Sequence, residues 1–360
     1  MNQEKLNQKY IRRCFTLAKK GYGKVNPNPY VGCVIVKNGK IIAEGWHHYF
    51  GGPHAEPNAI SKAKQSLKGA TLYCNLEPCC HTDKKTPPCT PLVISSGITK
   101  VVISTLDPNP KVAGKGVKQL RAAGIEVVTG VLEEEGNELN KFFFHSVKTG
   151  LPYVTVKIAQ TLDGKINFET KNQTWITGAE SKKYVHKLRS IYDAVLVGAN
   201  TVKVDDPQLN VRLVKGRNPK KIIIDGRLSV PLTRKLFLND DLADTYIFTS
   251  KNVSANKIKT LEKKSAKIYR LALNKNGQLS LKRILKILGK ENINSVLVEG
   301  GNSTFTQFIE NELFNEIIYL SAPKIFGTGL DAYDLKKRIV LDLYSAEKLG
   351  EDLKLIYKRK

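Results

Sequence analysis

The residues best suited to chemistry in this sequence are a histidine and two cysteines in its first quarter. The segment Pro53-His54-Ala55-Glu56 is followed by Cys79, 25 positions after the histidine, and then by Cys89. A neutral imidazole and two thiolates are three good zinc ligands, and they leave a fourth tetrahedral position for water. Zinc lowers the pKa of that water towards ~7, and Glu56 can carry its proton to a leaving amine. The spacing therefore predicts a zinc-dependent hydrolytic site.

A histidine, a glutamate two positions later and a downstream Pro-Cys pair are typical of zinc-dependent nucleobase deaminases. A buried histidine with inert cysteines is the structural alternative, which the combination of these residues disfavours. The segment Cys79-Cys80-His81-Thr82 has no second cysteine at the position of a Pro-Cys-x-x-Cys motif, so Cys80 stays open as a rival ligand. The remaining cysteines are predicted to be small core residues: Cys14, Cys33 and Cys74.

Composition and charge exclude several classes of protein. The chain has 360 residues, enough for about two domains, and its 41% hydrophobic and 25% charged residues are ordinary for a globular protein. No apolar run approaches the ~20 residues that span a bilayer, and no signal-peptide core follows the first methionine. We therefore expect no membrane partner and a cytoplasmic location.

The formal net charge is +25, from 58 basic and 33 acidic residues, and the excess is spread over both halves of the chain. This distribution favours a lysine-rich surface first and small anionic substrates second. No arginine-rich arm is present, so no nucleic-acid partner is expected.

The elements that must position these residues alternate between helix and strand. In the first half the predicted helices are 4–20, 56–68, 91–96 and 117–123, and the predicted strands are 31–37, 41–45, 71–75, 101–104 and 127–129, with a hairpin turn at 37–40. The pattern pauses at 148–152, and a second series has strands at 153–159, 194–198, 221–225, 245–249, 295–299 and 317–322. The sequence predicts an α/β fold with two domains, 1–147 and 148–360.

Four segments of the first half give a more specific indication: 26–33 (Asn-Pro-Asn-Pro-Tyr-Val-Gly-Cys), 52–56, 76–89 and 107–110 (Asp-Pro-Asn-Pro). They closely resemble the deaminase half of the bifunctional deaminase/reductases of riboflavin biosynthesis. The resemblance implies a cytidine-deaminase-like α/β/α layered domain with His54, Cys79 and Cys89 as zinc ligands. It also implies Glu56 as the proton shuttle and Asn28 as a substrate contact, although Asn28 also suits a loop.

The metal loop departs from the family pattern. It is one residue longer than is common between Cys79 and Cys89, and Lys84-Lys85 stands where the family usually has Gly-Arg. An added loop residue costs little. His81 and Lys85 lie beside this loop, where they either hold a substrate phosphate or are solvated.

In the second half, the strand at 295–299 runs into Gly300-Gly301. Two glycines bring backbone amides close to a ligand, and Ser303 or Thr304 can cap a following helix whose N-terminus favours phosphate. A plain tight turn is the alternative.

An ordered series of segments accompanies this turn: 157–165, 174–178, 188–189, 201–212, 224–226 and 322–327. The series looks like the reductase half of the same family, a dihydrofolate-reductase-like α/β domain that uses NADPH. The resemblance places around the cofactor Ala159, Trp175, Thr201, Asp205, Gly301, Asn302, Ser303, Thr304, Phe305, Thr306 and Gln307. It places around the substrate Gln173, Arg189, Leu209, Arg212 and Glu299.

Physical alternatives remain for several of these residues. Arg189 and Arg212 suit bidentate phosphate binding but also surface ion pairs, and Trp175 also suits core packing. Lys157 and Asp163 are candidate polar groups at the reacting ribose.

The function implied is a two-step conversion of 2,5-diamino-6-ribosylamino-4(3H)-pyrimidinone 5′-phosphate. A zinc-dependent deamination at C2 gives the aminouracil, and an NADPH-dependent reduction then converts the ribosyl chain to ribityl. The enzyme is expected to form a homo-oligomer. The alternatives are a zinc deaminase of another pyrimidine or an RNA base with an inactive reductase domain, and a non-enzymatic basic binding protein.

Overall fold

A computed structural model describes residues 2–83, 85–168 and 174–359 and divides the chain into two compact units between Gly150 and Leu151. The predicted boundary after residue 147 lies shortly before this division. In the described ranges, no helix combines the length and apolar character needed to cross a membrane.

The described residues of the first unit form helices and one sheet. The helices are α1 (Gln3–Ala18), α2 (Ala55–Ile60), α3 (Cys89–Ser95), α4 (Lys115–Ala122), α5 (Glu133–Leu139) and α6 (Lys141–Thr149). The strands are β1 (Gly32–Lys37), β2 (Lys40–Trp46), β3 (Thr71–Leu76), β4 (Lys100–Thr105) and β5 (Glu126–Val128), in the order β2-β1-β3-β4-β5. The strand β1 pairs antiparallel with β2 and β3, and the remaining pairs are parallel.

Both faces of this sheet are buried, which gives the predicted α/β/α layers. On one face, β1 and β3 pack with α2, α3, α4 and α6, whereas on the other they pack against α1. Cys14, Cys33 and Cys74 are fully buried in these two cores, which confirms their prediction as small core residues. The hairpin between β1 and β2 turns at Asn38 and Gly39, both with positive φ, as the sequence predicts.

Two parts of the first unit differ from the sequence prediction. The helix predicted over 56–68 ends at Ile60, because the residues that follow are mainly lysine, serine and glutamine and supply few apolar groups for the core. The helices α5 and α6 were not predicted. The first turn of α5 consists of three glutamates, which favour a helix N-terminus but carry no hydrophobic periodicity.

The second unit is built on a larger sheet. Its strands are β6 (Tyr153–Gln160), β7 (Lys165–Asn167), β8 (Ala194–Gly198), β9 (Lys220–Ile224), β10 (Thr245–Ser250), β11 (Lys267–Leu271), β12 (Ser295–Gly300), β13 (Glu316–Ser321), β14 (Leu330–Asp331), β15 (Leu341–Leu349) and β16 (Asp352–Arg359). Its helices are α7 (Ala179–Ile191), α8 (Ala199–Asp205), α9 (Ala255–Lys263), α10 (Leu281–Lys290) and α11 (Asn302–Glu310).

The main sheet has the order β11-β10-β9-β8-β12-β6-β13-β16-β15, and β7 pairs with β14 separately. Strands from β11 to β13 are parallel, and β16 and β15 continue the sheet antiparallel. The central strands are apolar runs because helices cover both faces of a parallel sheet. Ligands of such sheets bind beyond the carboxyl ends of the strands, and Glu299-Gly300 lies at this end of β12.

Candidate metal centre and cofactor pocket

The three predicted zinc ligands meet at one point of the first unit. His54 precedes α2, Cys79 follows β3, and Cys89 is the first residue of α3. Their ligand atoms all lie within 4.8 Å of one another. Nδ1 of His54 is 3.4 Å from each Sγ atom, close to the roughly 3.5 Å expected between nitrogen and sulfur around tetrahedral zinc. These residues therefore fit the metal that their chemistry predicts.

Glu56 lies beside this group, in the first turn of α2. Its side chain is buried, and among the described residues its Oε2 has no hydrogen-bond partner. Burial raises the pKa of this carboxyl group. A buried carboxylate oxygen without a protein partner is suited to exchange a proton with a small molecule at the metal.

Neighbouring groups orient the ligands. The backbone N–H of Cys89 donates to Sγ of Cys79 at 3.4 Å. Oγ1 of Thr86 lies 3.3 Å from Nε2 of His54. Because Nδ1 of His54 faces the two sulfurs, Nε2 carries the ring proton and donates it to Thr86, which keeps the imidazole in a ligating tautomer.

Cys80, the rival ligand, is not part of the metal group found in the described residues. Its Sγ faces the backbone carbonyl of Lys111 at 3.8 Å. The adjacent thiols of Cys79 and Cys80 therefore point to different surroundings, and the geometry favours Cys79 as the zinc ligand.

A pocket of about 310 Å³ opens beside the metal group. Of the candidate substrate contacts it is lined by Asn28, His81 and Lys85, and Asp107 and Asn109 from the segment 107–110 line it as well. The ammonium of Lys85 lies 4.6 Å from the centre of the Phe50 ring, which holds a positive charge at this pocket.

Sequence reasoning missed two residues of this pocket, His47 and Glu77. The carboxylate of Glu77 accepts hydrogen bonds from the backbone N–H groups of Asp107, Gly114 and Val117. It therefore shapes the loop after β4 that lines the pocket. Its place before Pro78-Cys79 was a usable signal, whereas no local pattern marks His47.

The second unit contains a larger pocket of about 960 Å³ at the carboxyl ends of β8 and β12. Of the residues predicted there, it is lined by Ala159, Trp175, Arg189, Thr201, Asp205, Leu209, Arg212, Glu299, Gly301, Asn302, Ser303, Thr304, Phe305 and Gln307. Thr306 does not line it; its hydroxyl accepts a hydrogen bond from the backbone N–H of Asp334. Gln173 lies outside the described residues.

The glycine-rich turn before α11 shows why cofactor phosphate suits this pocket. Gly301 has φ +88°, and a Cβ atom there would lie 2.9 Å from Oγ1 of Thr201. The predicted cap by Ser303 or Thr304 is wrong, since α11 begins at Asn302 without a side-chain cap. The backbone N–H of Thr304 donates to the carbonyl of Gly301, whereas the N–H groups of Asn302 and Ser303 precede the first bond of the helix and are available to an anion.

A buried ion cluster lines the same pocket. Both carboxylate oxygens of Glu299 accept from Arg189, at 2.6 and 2.8 Å, and Nζ of Lys157 lies 3.5 Å away. Burial would raise the pKa of Glu299, but the charges of Arg189 and Lys157 outweigh that effect and lower it to about 2. The guanidinium group of Arg189 is therefore already paired with the carboxylate of Glu299 within the protein.

The other polar predictions have different surroundings. Arg212 is exposed at the pocket and donates to Oδ1 of Asn210. Trp175 is 56% exposed, with Nζ of Lys182 4.1 Å from its ring centre, so it is not a core residue. Asp163 does not line the pocket; its carboxylate accepts the backbone N–H of Gly327 at 2.7 Å.

Comparison with known families agrees with both sites. Residues 4–105 match the cytidine and deoxycytidylate deaminase zinc-binding region, and residues 152–355 match the RibD C-terminal domain. The riboflavin biosynthesis protein RibD of Aquifex aeolicus is 46% identical, covering 98% of this chain and 99% of its own length. The homologue from Actinobacillus pleuropneumoniae is 42% identical, covering 97% and 94%.

Solved structures give the same result. RibD of Acinetobacter baumannii is 34% identical with a TM-score of 0.90, over 99% of this chain and 100% of that chain. A diaminohydroxyphosphoribosylaminopyrimidine deaminase/5-amino-6-(5-phosphoribosylamino)uracil reductase from Thermotoga maritima is 42% identical with a TM-score of 0.87, over 100% of both chains. A zinc-binding deaminase unit followed by a reductase unit defines a bifunctional deaminase/reductase. The chain belongs to the RibD family of riboflavin biosynthesis proteins, and the predicted deaminase-like and dihydrofolate-reductase-like domains are confirmed.

Proposed function

We propose that the chain deaminates 2,5-diamino-6-ribosylamino-4(3H)-pyrimidinone 5′-phosphate at C2 and then reduces the ribosyl chain of the product to ribityl. The observation that carries the proposal is the group of His54, Cys79 and Cys89 with buried Glu56 at the pocket of the first unit. The Thermotoga maritima relative, whose name gives both activities, supports the same pair of steps.

In the deamination, His54, Cys79 and Cys89 hold the zinc ion. Zinc, when bound, lowers the pKa of a water molecule so that hydroxide is available at neutral pH. Glu56 takes the proton of that water and delivers it to the amino nitrogen. The C2–N bond breaks, a C2–O bond forms, and ammonia leaves. Asn28 contacts the pyrimidine.

His81 and Lys85 hold the substrate phosphate in this pocket. Both line it, and an ammonium and an imidazole are suitable hydrogen-bond donors for phosphate.

In the reduction, NADPH, when bound, would supply a hydride. The hydride adds to C1′ of the ring-opened ribosyl chain, and the C1′=N double bond becomes a single bond as the nitrogen takes up a proton. Ala159, Trp175, Thr201, Asp205 and the segment 301–307 hold the cofactor, with its phosphate at the uncapped start of α11. The substrate is bound by Arg189, Leu209, Arg212 and Glu299, with Lys157 at the ribose. For Gln173 the substrate contact rests on the family resemblance alone.

The chain acts in the cytoplasm as a homo-oligomer, with the two activities divided near residue 147. The strand β15 supports association because it is the end strand of its sheet and exposes Leu343 and Tyr344 by more than half. An exposed edge strand with apolar side chains is suited to pairing with a second copy.

A coupled assay tests the proposed activities. Zinc-loaded protein receives the diaminopyrimidinone ribosyl phosphate and NADPH, and ammonia and nicotinamide absorbance are followed together. We expect ammonia release followed by NADPH oxidation, and loss of both in Glu56→Gln. With the deaminated substrate, Glu56→Gln should still oxidise NADPH.

Two cysteine variants provide the matched comparison for the metal site. Cys79→Ser should lose zinc and ammonia release, whereas Cys80→Ser should keep both. Ammonia release without NADPH oxidation would contradict the second step. Deamination of folded RNA instead of the diaminopyrimidinone ribosyl phosphate would contradict the proposed substrate.

A further inference from the structure

The pocket beside the metal group contains a hydrogen-bond relay that ends on Asn28. His47 follows β2, and its backbone N–H donates to the carbonyl of Val31, which ties it to the start of β1. His47 is buried, with 2% of the residue exposed. Nδ1 lies 3.0 Å from the carbonyl oxygen of Pro53, and Nε2 lies 3.0 Å from Nδ2 of Asn28.

The carbonyl of Pro53 determines which ring nitrogen of His47 carries the proton. A carbonyl oxygen only accepts hydrogen bonds, so Nδ1 of His47 donates to it. The same carbonyl also accepts from Nδ2 of Asn58 at 3.1 Å, and that amide donates to the carbonyl of Trp46 at 2.8 Å. Two side chains thus hold the Pro53 carbonyl in place. Nε2 of His47 faces the amide nitrogen of Asn28, which only donates, so Nε2 is the unprotonated acceptor of the ring.

An unprotonated Nε2 requires a donor opposite it. The amide of Asn28 therefore turns its NH₂ group towards His47 and its carbonyl oxygen away. A free asparagine amide can rotate by half a turn and exchange its donor and acceptor, whereas the relay from Pro53 through His47 selects one orientation.

We propose that His47 is a positioning residue that makes Asn28 offer a hydrogen-bond acceptor to the pyrimidine, so that the pocket selects a ring edge with an N–H donor. The inference deepens the proposed deamination and rests on Asn28 being a substrate contact. Asn28, His47 and Glu56 all line the same pocket. A reversed amide sets donor against donor, which costs far more than a missing contact.

Steady-state kinetics of the full zinc-loaded chain test the proposal. His47→Leu removes both ring nitrogens, and we expect a decrease of about tenfold or more in kcat/KM for deamination, mainly through KM. His47→Gln keeps one donor and one acceptor, and it should recover most of the activity. Reduction of the deaminated substrate should be unchanged in both variants.

A double-mutant cycle separates positioning from general stabilisation. If His47 acts through Asn28, His47→Leu should cost less than about twofold in an Asn28→Ala background. Equal costs in the two backgrounds would overturn the proposal. Loss of zinc from His47→Leu would also overturn it, because the ring of His47 lies 5.1 Å from that of His54 and the effect would then belong to the metal site.

The tautomer itself can be read without any activity. The ¹⁵N chemical shifts of the His47 ring distinguish a protonated from an unprotonated nitrogen, and we expect Nδ1 protonated and Nε2 unprotonated. A proton on Nε2 would refute the relay. If wild-type protein released no ammonia while the shifts were as expected, the proposed substrate would fail and the relay would stand.

Discussion

Replacing Glu299 by glutamine is expected to destabilise the second unit, because two buried cations would lose their shared carboxylate. Glu299 accepts two hydrogen bonds from Arg189 and lies 3.5 Å from Nζ of Lys157. The side chains of both cations are 11% exposed and that of Glu299 is 5% exposed, so water cannot replace the lost charge.

The size of the effect follows from this burial. Removing one partner of a buried ion pair costs about 3–5 kcal/mol. For a unit of roughly 150–250 residues, each kcal/mol shifts the melting temperature by about 2–4 °C, so Glu299→Gln should lower the melting temperature by about 6–20 °C.

Acid should remove the same contribution from the wild type. The pKa of Glu299 is lowered from 4.5 to about 2, so its stabilisation is complete above pH 4.5 and is lost as the pH falls towards 2. The difference in melting temperature between wild type and Glu299→Gln should narrow over that interval.

Calorimetry of the full chain measures this, with the transition of the second unit identified by its shift on adding NADPH. Lys157→Met is the matched control, since it leaves the pair of Glu299 and Arg189 intact; combined with Glu299→Gln it should recover part of the loss. A melting temperature of Glu299→Gln within about 1 °C of the wild type would refute the reasoning.

Three further substitutions test the groups that shape the two pockets. Thr86→Val should weaken zinc binding about tenfold, because His54 loses the acceptor of its ring N–H. Competition with a chelator measures the zinc affinity, and the control variant Thr86→Ser should bind zinc as tightly as the wild type. Gly301→Ala should raise the KM for NADPH about tenfold and leave deamination unchanged. The reason is that residue 301 has φ +88° and its new Cβ atom would lie 2.9 Å from Oγ1 of Thr201. Equal KM values for NADPH in the variant and the wild type would contradict the prediction. Glu77→Gln should lower the unfolding free energy of the first unit, measured in urea, by about 1–3 kcal/mol, because it weakens hydrogen bonds from three backbone N–H groups. An unchanged urea midpoint of unfolding would contradict the prediction.

The metal group could be predicted from sequence because its chemistry resides in residue types. Few combinations other than a metal site explain His54, Glu56, Cys79 and Cys89 at that spacing, so a metal centre built on His54 and two thiolates could be predicted from the sequence. The choice of Cys79 over Cys80 could not be made from chemistry alone, since both are thiols. It depends on the backbone after β3, which turns Cys80 towards the carbonyl of Lys111.

Most strands of both sheets were predictable for a similar reason. Apolar runs such as β8, β9 and β12 are buried on both faces of a parallel sheet, so they stand out from their surroundings. The edge strand β11, whose residues are mostly exposed or partly buried, was not predicted. Neither were the terminal strands β15 and β16. Their residues are mostly exposed or partly buried, and they become strands by pairing with β13 and with each other rather than through a local apolar pattern.

The roles of single polar residues depend on partners that are distant in sequence. The predicted capping role of Ser303 or Thr304 failed because α11 starts one position before Ser303. His47 could not be found because its importance arises from Pro53 and Asn28, which the fold brings to its two ring nitrogens.

Arginine shows most clearly how such partners change an inference from composition. Arg189 and Arg212 were equivalent candidates for phosphate, since both are scarce planar cations in a lysine-rich chain. The structure separates them, because the guanidinium of Arg189 is bound to Glu299 and to the carbonyl of Asn210. In the described residues no carboxylate pairs with Arg212, which is exposed at the same pocket. We therefore expect the phosphate of the substrate to interact with Arg212, while Arg189 contacts the substrate beside Glu299, whose carboxylate it orients.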